Sequence, residues 1–153
     1  MKTHELKAHL LTGGAIIASA YIGSSNDHIR QGHLNIDMEK LGAPRLASGK
    51  GWDKGEFEEC AVYSLNSCPL TAYRTIMFKV LTEYSQDSLI CIIDGGAHLC
   101  TLGLDGELDF HKFKNLEIST YSMTGDCSAI QCKDGVLWVK CSELQRGEPW
   151  DNY

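Results

Sequence analysis

The stretch Leu89–Ser142 constrains the fold of this chain more than any other part of the sequence. Its short apolar runs, among them LICII and VLWVKC, are separated by turn-forming residues. Three of the turn signals are Asp-Gly pairs, at Asp94-Gly95, Asp105-Gly106 and Asp134-Gly135. Apolar runs joined by Asp-Gly are typical of antiparallel strands connected by tight turns. We therefore predict that Leu89–Ser142 forms an antiparallel β meander.

A helix is expected to pack against this meander. Apolar side chains between Tyr73 and Tyr84 recur at the spacing of an amphipathic helix, although Ile76, Phe78 and Val80 also alternate as in a strand. The other predicted elements are a helix at Thr3–Leu11, a strand at Ala15–Ile22, a short helix at Asp37–Gly42 and a strand at Cys60–Leu65. At 153 residues, the chain is expected to form a single α+β domain over residues 1–153, with the meander packed against one or two helices.

A glycine-rich segment, GAPRLASGKGWDKG, occupies residues 42–55. We expect a long loop here, and long loops inside compact domains are often functional. Trp52 within this segment has two interpretations. It is either an exposed aromatic anchor for a partner or a side chain folded back over the core.

The charge of the chain is acidic and unevenly distributed. The net charge is −6, and most of the acidic excess lies after residue 72. A protein that follows a nucleic-acid backbone needs a surplus of Lys and Arg, so we expect no direct nucleic-acid binding. An acidic second half instead suits a partner with a basic surface, or it serves only as a solvated face that keeps the chain in solution.

The cysteines indicate the redox compartment. There are seven, an odd number, and none forms a CxxC pair. This pattern favours free, buried thiols in a reducing cytoplasm over the alternative, a secreted disulfide framework. No apolar run approaches the roughly 20 residues of a membrane span. Residues 1–20 resemble a signal peptide superficially, but Glu5 and Thr12-Gly13-Gly14 interrupt the pattern, and we expect them to belong to the fold.

One predicted hairpin brings together side chains that bind metals or catalyse reactions. If Asp105-Gly106 is a two-residue loop, residues 98 and 113 pair, and so do 100 and 111. One face then carries His98, Cys100, Asp109 and His111, which suits a zinc-like site, or a Cys100 nucleophile with His98 or His111 as base. The alternative is a polar outer face, and a one-residue slip would separate the four.

The last predicted hairpin is structural. With Asp134-Gly135 as its loop, an apolar face forms that makes both of its thiols core residues. The opposite face carries Trp138, available to a helix or to a partner. The residues of the apolar face are Ser128, Ile130, Cys132, Leu137, Val139 and Cys141.

The opening residues MKTHELKAHLLTGG, a capped helix leading through Gly-Gly into a strand, resemble the start of many small proteins of bacteriophages and mobile elements. The chain has no GxSxG, HExxH or GxGxxG motif. Acidic single domains of this size without such motifs are similar to anti-defence inhibitors, including anti-CRISPR proteins. This resemblance implies stoichiometric binding to a host protein that handles nucleic acid.

The leading prediction is therefore a non-enzymatic inhibitor that binds a host nucleic-acid-handling protein, for example a CRISPR-Cas complex, without a cofactor. Its predicted binding residues are Trp52, Asp105, Glu107, Asp109 and Trp138. The alternatives are a small thiol/His enzyme or metalloprotein, and a protein that sequesters a nucleotide or small molecule beneath the 42–55 loop. The expected location is the cytoplasm of a bacterial host.

Overall fold

The computed structural model describes residues 1–53 and 56–145. The described residues form three helices and eight strands. The helices are α1 (Thr3–Thr12), α2 (Asp27–Lys40) and α3 (Leu70–Glu83), and the strands are β1 (Gly14–Ala18), β2 (Arg45–Asp53), β3 (Glu56–Ser64), β4 (Leu89–Ile93), β5 (Gly96–Leu102), β6 (Leu108–Ser119), β7 (Cys127–Cys132) and β8 (Gly135–Gln145).

The eight strands close into an antiparallel barrel in the order β1-β3-β2-β7-β8-β6-β5-β4. The prediction of a meander at Leu89–Ser142 packed against helices is therefore wrong. That stretch contributes five of the eight strands. Strands β6 and β7 are consecutive in sequence, but β8 lies between them in the sheet. The earlier strands β1, β2 and β3 complete the wall. Closure gives every strand of the described ranges a partner on both sides.

Two helices cover one side of the barrel. The core beneath them joins the inner faces of α2 and α3 to the outward side chains of β1, β3, β4, β5 and the start of β6. Ile76, Met77, Val80 and Leu81 of α3 are buried there, which confirms the helical interpretation of the Tyr73–Tyr84 segment. Helix α2 begins at Asp27, ten residues before the predicted start. The Asp27 carboxylate accepts hydrogen bonds from Ile22 N and Gly23 N, which hold the chain that leads into the helix.

Helix α1 closes one end of the barrel. Leu6 and Leu10 are fully buried among the inward side chains of the wall, as their i,i+4 spacing predicts. The start of the helix is held where Thr3 N donates to Asp134 Oδ1 at 2.8 Å. Its end is held where His9 Nε2 lies 3.0 Å from the carbonyl oxygen of Gly14. None of the helices in the described ranges is long and apolar enough to cross a membrane.

The prediction of a long loop at 42–55 is wrong, because most of this segment is strand β2. The described part of the segment therefore does not form a lid. Gly55 lies outside the described residues. Gly49 pairs with Cys60 on one side and with Ile130 on the other, and these two side chains point into the barrel. A Cβ on Gly49 would lie 2.3 Å from the carbonyl oxygen of Ala129. This glycine therefore permits close approach of β2 and β7.

Candidate functional site

The side of the barrel opposite the helix-covered wall carries an aromatic cluster. Among the described residues, the core beneath α2 and α3 draws no side chain from β2, β7 or β8. On this wall Trp52 contacts both Phe57 and Trp138, and we refer to these three as the aromatic platform. The Phe57 side chain is 57% exposed, and both tryptophans are half-buried. The platform is thus an accessible aromatic surface.

The sheet register explains why the two tryptophans meet. Trp52 is paired with Phe57 on β3 and with Cys127 on β7, and Trp138 is paired with Ala129. The two indoles therefore flank β7, whose outward residues here are small. The ring centroids of Trp52 and Trp138 are 6.0 Å apart with an interplanar angle of 22°. Trp52 and Phe57 are tilted by 41° at 5.9 Å. Neither tryptophan belongs to either core cluster, so Trp52 does not cover the core.

Two lysines border the platform, and the structure gives each an internal partner. Lys50 Nζ lies over the Phe57 ring, 5.1 Å from its centroid. This geometry is that of a cation–π contact. Lys140 Nζ donates a 2.8 Å hydrogen bond to the carbonyl oxygen of Thr124. The platform therefore already accepts one cation from its own chain.

Exposed carboxylates border the same surface. Glu59 on β3 and Glu117 on β6 lie on the outer face of the wall with the platform, and Asp126 is exposed just before β7. Glu59 accepts a 2.8 Å hydrogen bond from the Tyr21 hydroxyl. Burial and this hydrogen bond raise the pKa of Tyr21 to about 12. The tyrosine remains a neutral donor, and the border of the platform carries more negative than positive charge.

The remaining predicted binding residues lie elsewhere. Asp105 and Glu107 are exposed in the turn before β6, whereas Trp138 pairs with Ser119 at the other end of β6. The turn also follows β5, which is on the opposite side of the eight-strand ring from β2 and Trp52. Glu107 lines a groove of about 620 Å³ between α2 and α3, where Lys79 interacts with Glu83 and Asp37. The structure therefore joins Trp52 to Trp138 but separates both from the acidic turn.

The predicted His98, Cys100, Asp109 and His111 face does not form. The β5–β6 connection spans Gly103–Glu107, and the pairs are His98 with Lys112, Leu99 with His111, Cys100 with Phe110, and Thr101 with Asp109. The register thus differs by one residue from that of a two-residue loop. Because side chains alternate, His98 and Cys100 lie on the outer face and Asp109 and His111 on the inner face.

The chemistry of these side chains also weighs against nucleophilic catalysis. The Cys100 side chain is fully buried, and desolvation raises the pKa of its thiol to about 12. Burial lowers the pKa of His98. A thiol whose pKa is raised stays protonated and is a poor nucleophile, and an imidazole whose pKa is lowered is a weaker base. Within the described ranges, no group of three or more His, Cys, Asp or Glu side chains is arranged to hold a metal ion.

The thiols agree with the expectation of buried free cysteines. All seven cysteines are free, and six are buried. The apolar face predicted for the last hairpin is confirmed, since Cys132 belongs to the barrel interior and Cys141 packs against it. The side chains of Cys132 and Cys141 are therefore part of the packing of the barrel core.

Phe57 and Lys50 were absent from the predicted binding residues. The signal for Phe57 was its position in the strand that follows the Trp52 strand. When two such strands form a hairpin, Trp52 and Phe57 become a cross-strand pair. The signal for Lys50 was its alternation with Trp52, which puts both on one face. The arrangement provides stacking surfaces, one internal cation and a negative border.

No protein-family model and no curated protein matches this sequence.

Proposed function

We propose that this protein is a non-enzymatic binding protein whose aromatic platform contacts a basic surface of another protein. The observation that carries the proposal is the stacked pair of Trp52 and Trp138 on the wall opposite the helices. Tryptophan is enriched among the residues that dominate binding energy at protein interfaces. Exposed aromatic clusters on small proteins are commonly interaction sites. A structural role in the core does not explain this pair, because neither residue belongs to a core cluster.

The charge around the platform supports a basic partner. Glu59, Glu117 and Asp126 are exposed carboxylates beside the cluster, and its two lysines have partners within the chain. A net charge of −6 adds a long-range attraction towards positive surfaces. Complementary potentials accelerate encounter and select against acidic partners. This moves the proposed contact surface away from Asp105 and Glu107, which lie just before the start of β6, to the region of Trp138, which pairs with the last residue of β6.

The class of partner follows from the same charge argument. Proteins that handle nucleic acid present extended basic surfaces, and an acidic protein that covers such a surface blocks its substrate. The resemblance to anti-defence inhibitors agrees with this assignment. We therefore propose inhibition of a host nucleic-acid-handling protein, for example a CRISPR-Cas complex, in the bacterial cytoplasm and without a cofactor.

Purified CRISPR-Cas nuclease complexes provide the test, with target-DNA cleavage as the readout. The protein is expected to bind one of them stoichiometrically and to inhibit cleavage. Trp138→Ala is expected to weaken that binding by about 2 kcal/mol, roughly thirtyfold, as for an interface anchor. Phe78→Ala is the matched control, because Phe78 is 44% exposed in the α2–α3 groove.

Two results would contradict the proposal. Absence of both association and inhibition with every complex tested removes the proposed partner class. Equal losses in Trp138→Ala and Phe78→Ala would show that the platform is not the contact surface.

A further inference from the structure

We infer that the platform recognises an arginine side chain of the partner, with the guanidinium stacked on Trp138 and paired with the carboxylate of Glu117. This inference rests on the proposed function, since it names the group that the platform binds. It depends on three features of the uncovered wall: the stacked indoles, the cation already held there, and the position of Glu117.

The indole pair supplies a flat surface. Trp52 and Trp138 are stacked and half-buried, so each keeps part of its surface exposed to solvent. A planar, weakly hydrated guanidinium stacks on such a surface better than a compact, strongly hydrated ammonium does. Lys50 over Phe57 shows that a cation is already accommodated at the edge of the same cluster.

The register positions a carboxylate beside the indole. Glu117 on β6 is paired with Lys140, and Ser119, two residues further, is paired with Trp138. Glu117 and Trp138 are therefore diagonal neighbours on the outer face, a separation that long side chains bridge. Lys140 donates to the Thr124 carbonyl instead of to Glu117. Among the described residues, Glu117 has no ion-pair partner.

The same charges disfavour the other planar ligand, a nucleobase. A base stacked on Trp138 would bring its phosphates towards the exposed carboxylates of Glu117, Asp126 and Glu59. Proteins that bind single strands combine aromatic side chains with a positively charged groove. Here the border is negative, so the guanidinium is the better match.

The experiment titrates the full-length protein with three short unstructured peptides of equal length, built from Arg-Gly, Lys-Gly and Glu-Gly repeats. The readout is the indole N–H resonance of Trp138, assigned by Trp138→Phe. We expect the Arg-Gly peptide to shift this resonance and to bind more tightly than the Lys-Gly peptide. The Glu-Gly peptide should not bind.

Matched variants separate stacking from general attraction. Trp138→Ala should weaken Arg-Gly binding by between about twofold and thirtyfold. Glu117→Gln should weaken it by about twofold to fivefold. Glu107→Gln removes the same charge just before the start of β6, at the other end of the strand that carries Glu117, and should leave the affinity unchanged. Unfolding curves for all three variants establish that each is folded.

Several outcomes would overturn this inference. The first two are equal binding of the Arg-Gly and Lys-Gly peptides and an affinity for the Arg-Gly peptide that Trp138→Ala does not change. The third is an equal loss of affinity in Glu117→Gln and Glu107→Gln. The fourth is a single-stranded oligonucleotide that shifts the Trp138 resonance at a lower concentration than the Arg-Gly peptide does. If Trp138→Ala abolishes nuclease inhibition while the Arg-Gly peptide leaves the resonance unmoved, the proposed function stands and the arginine assignment falls. If the peptide binds as expected but no nuclease complex is inhibited, the assignment stands and the partner class falls.

Discussion

Adding one methyl group at Gly49 tests the closure of the barrel directly. The new Cβ would lie 2.3 Å from the carbonyl oxygen of Ala129 and 2.9 Å from the Cα of Ile130. Both atoms belong to the backbone of β7, so no side-chain rotation relieves the contact, and β2 and β7 must separate. Overpacking of this kind costs about 1–3 kcal/mol, and a backbone clash belongs at the upper end. Loss of unfolded-state freedom returns about 0.4–1 kcal/mol.

We therefore expect Gly49→Ala to lower the free energy of unfolding by about 2 kcal/mol. Gly51→Ala is the matched control, because it alters the same strand and its Cβ would approach only Ser128 Oγ, at 3.8 Å. That variant should be unchanged or more stable by up to about 1 kcal/mol. Urea unfolding of both variants gives the midpoints and the slopes.

Equal stabilities of the two variants would refute the reasoning. They would mean that β2 and β7 are not held in the register that pairs Gly49 with Ile130. A Gly49→Ala variant that remains insoluble while Gly51→Ala folds would agree with the expected order, because the two substitutions are chemically identical.

Two further predictions concern the closure of the barrel end by α1. Leu10→Ala removes a fully buried side chain and should lower the free energy of unfolding by about 2.7–5 kcal/mol in guanidinium unfolding, whereas a loss below about 1 kcal/mol would contradict its packing in the barrel end. The Thr3 backbone N–H donates to Asp134 and lowers the pKa of this carboxyl. The ionised carboxylate therefore stabilises the fold above the unfolded-state pKa of about 3.9, and this contribution is lost as the pH falls through the lowered value. The melting temperature of Asp134→Asn should accordingly fall less than that of the native protein between neutral pH and about pH 3, and parallel curves would contradict this role.

The three Asp-Gly pairs show how far turn chemistry predicts register. Asp94-Gly95 forms a two-residue turn with both φ angles positive, and Ile93 pairs with Gly96. Asp105-Gly106 lies inside a five-residue connection, which shifts the register by one residue and separates the predicted His and Cys ligands. Local sequence identified all three turns, but the length of each connection depends on how the flanking strands pack.

The third pair shows why some errors of register are harmless. The turn before β8 is Lys133-Asp134, because Cys132 pairs with Gly135. The register therefore differs by two residues from the one predicted. Since side chains alternate with a period of two, the same apolar face forms, and Trp138 remains outward beside Ala129.

The glycine-rich strand was beyond prediction from local sequence. Gly49 and Gly51 lower the strand propensity of this segment. It is nevertheless a strand, because it pairs with β7, a segment about 80 residues later in the chain. The meeting of Trp52 with Trp138 has the same origin. Each residue was identifiable as a candidate anchor, but their stacking depends on the β2–β7–β8 order, which no local pattern contains.

The closed wall also affects how the chain reaches its native state. Two of its pairings, β1 with β4 and β2 with β7, join segments that are distant in sequence. Such pairings slow folding, because loop closure costs entropy before the contacts form. Until the seam between β2 and β7 closes, each of these strands has a free edge on which another chain can add a strand. The newly synthesised protein is therefore most vulnerable to aggregation in the interval before the barrel closes.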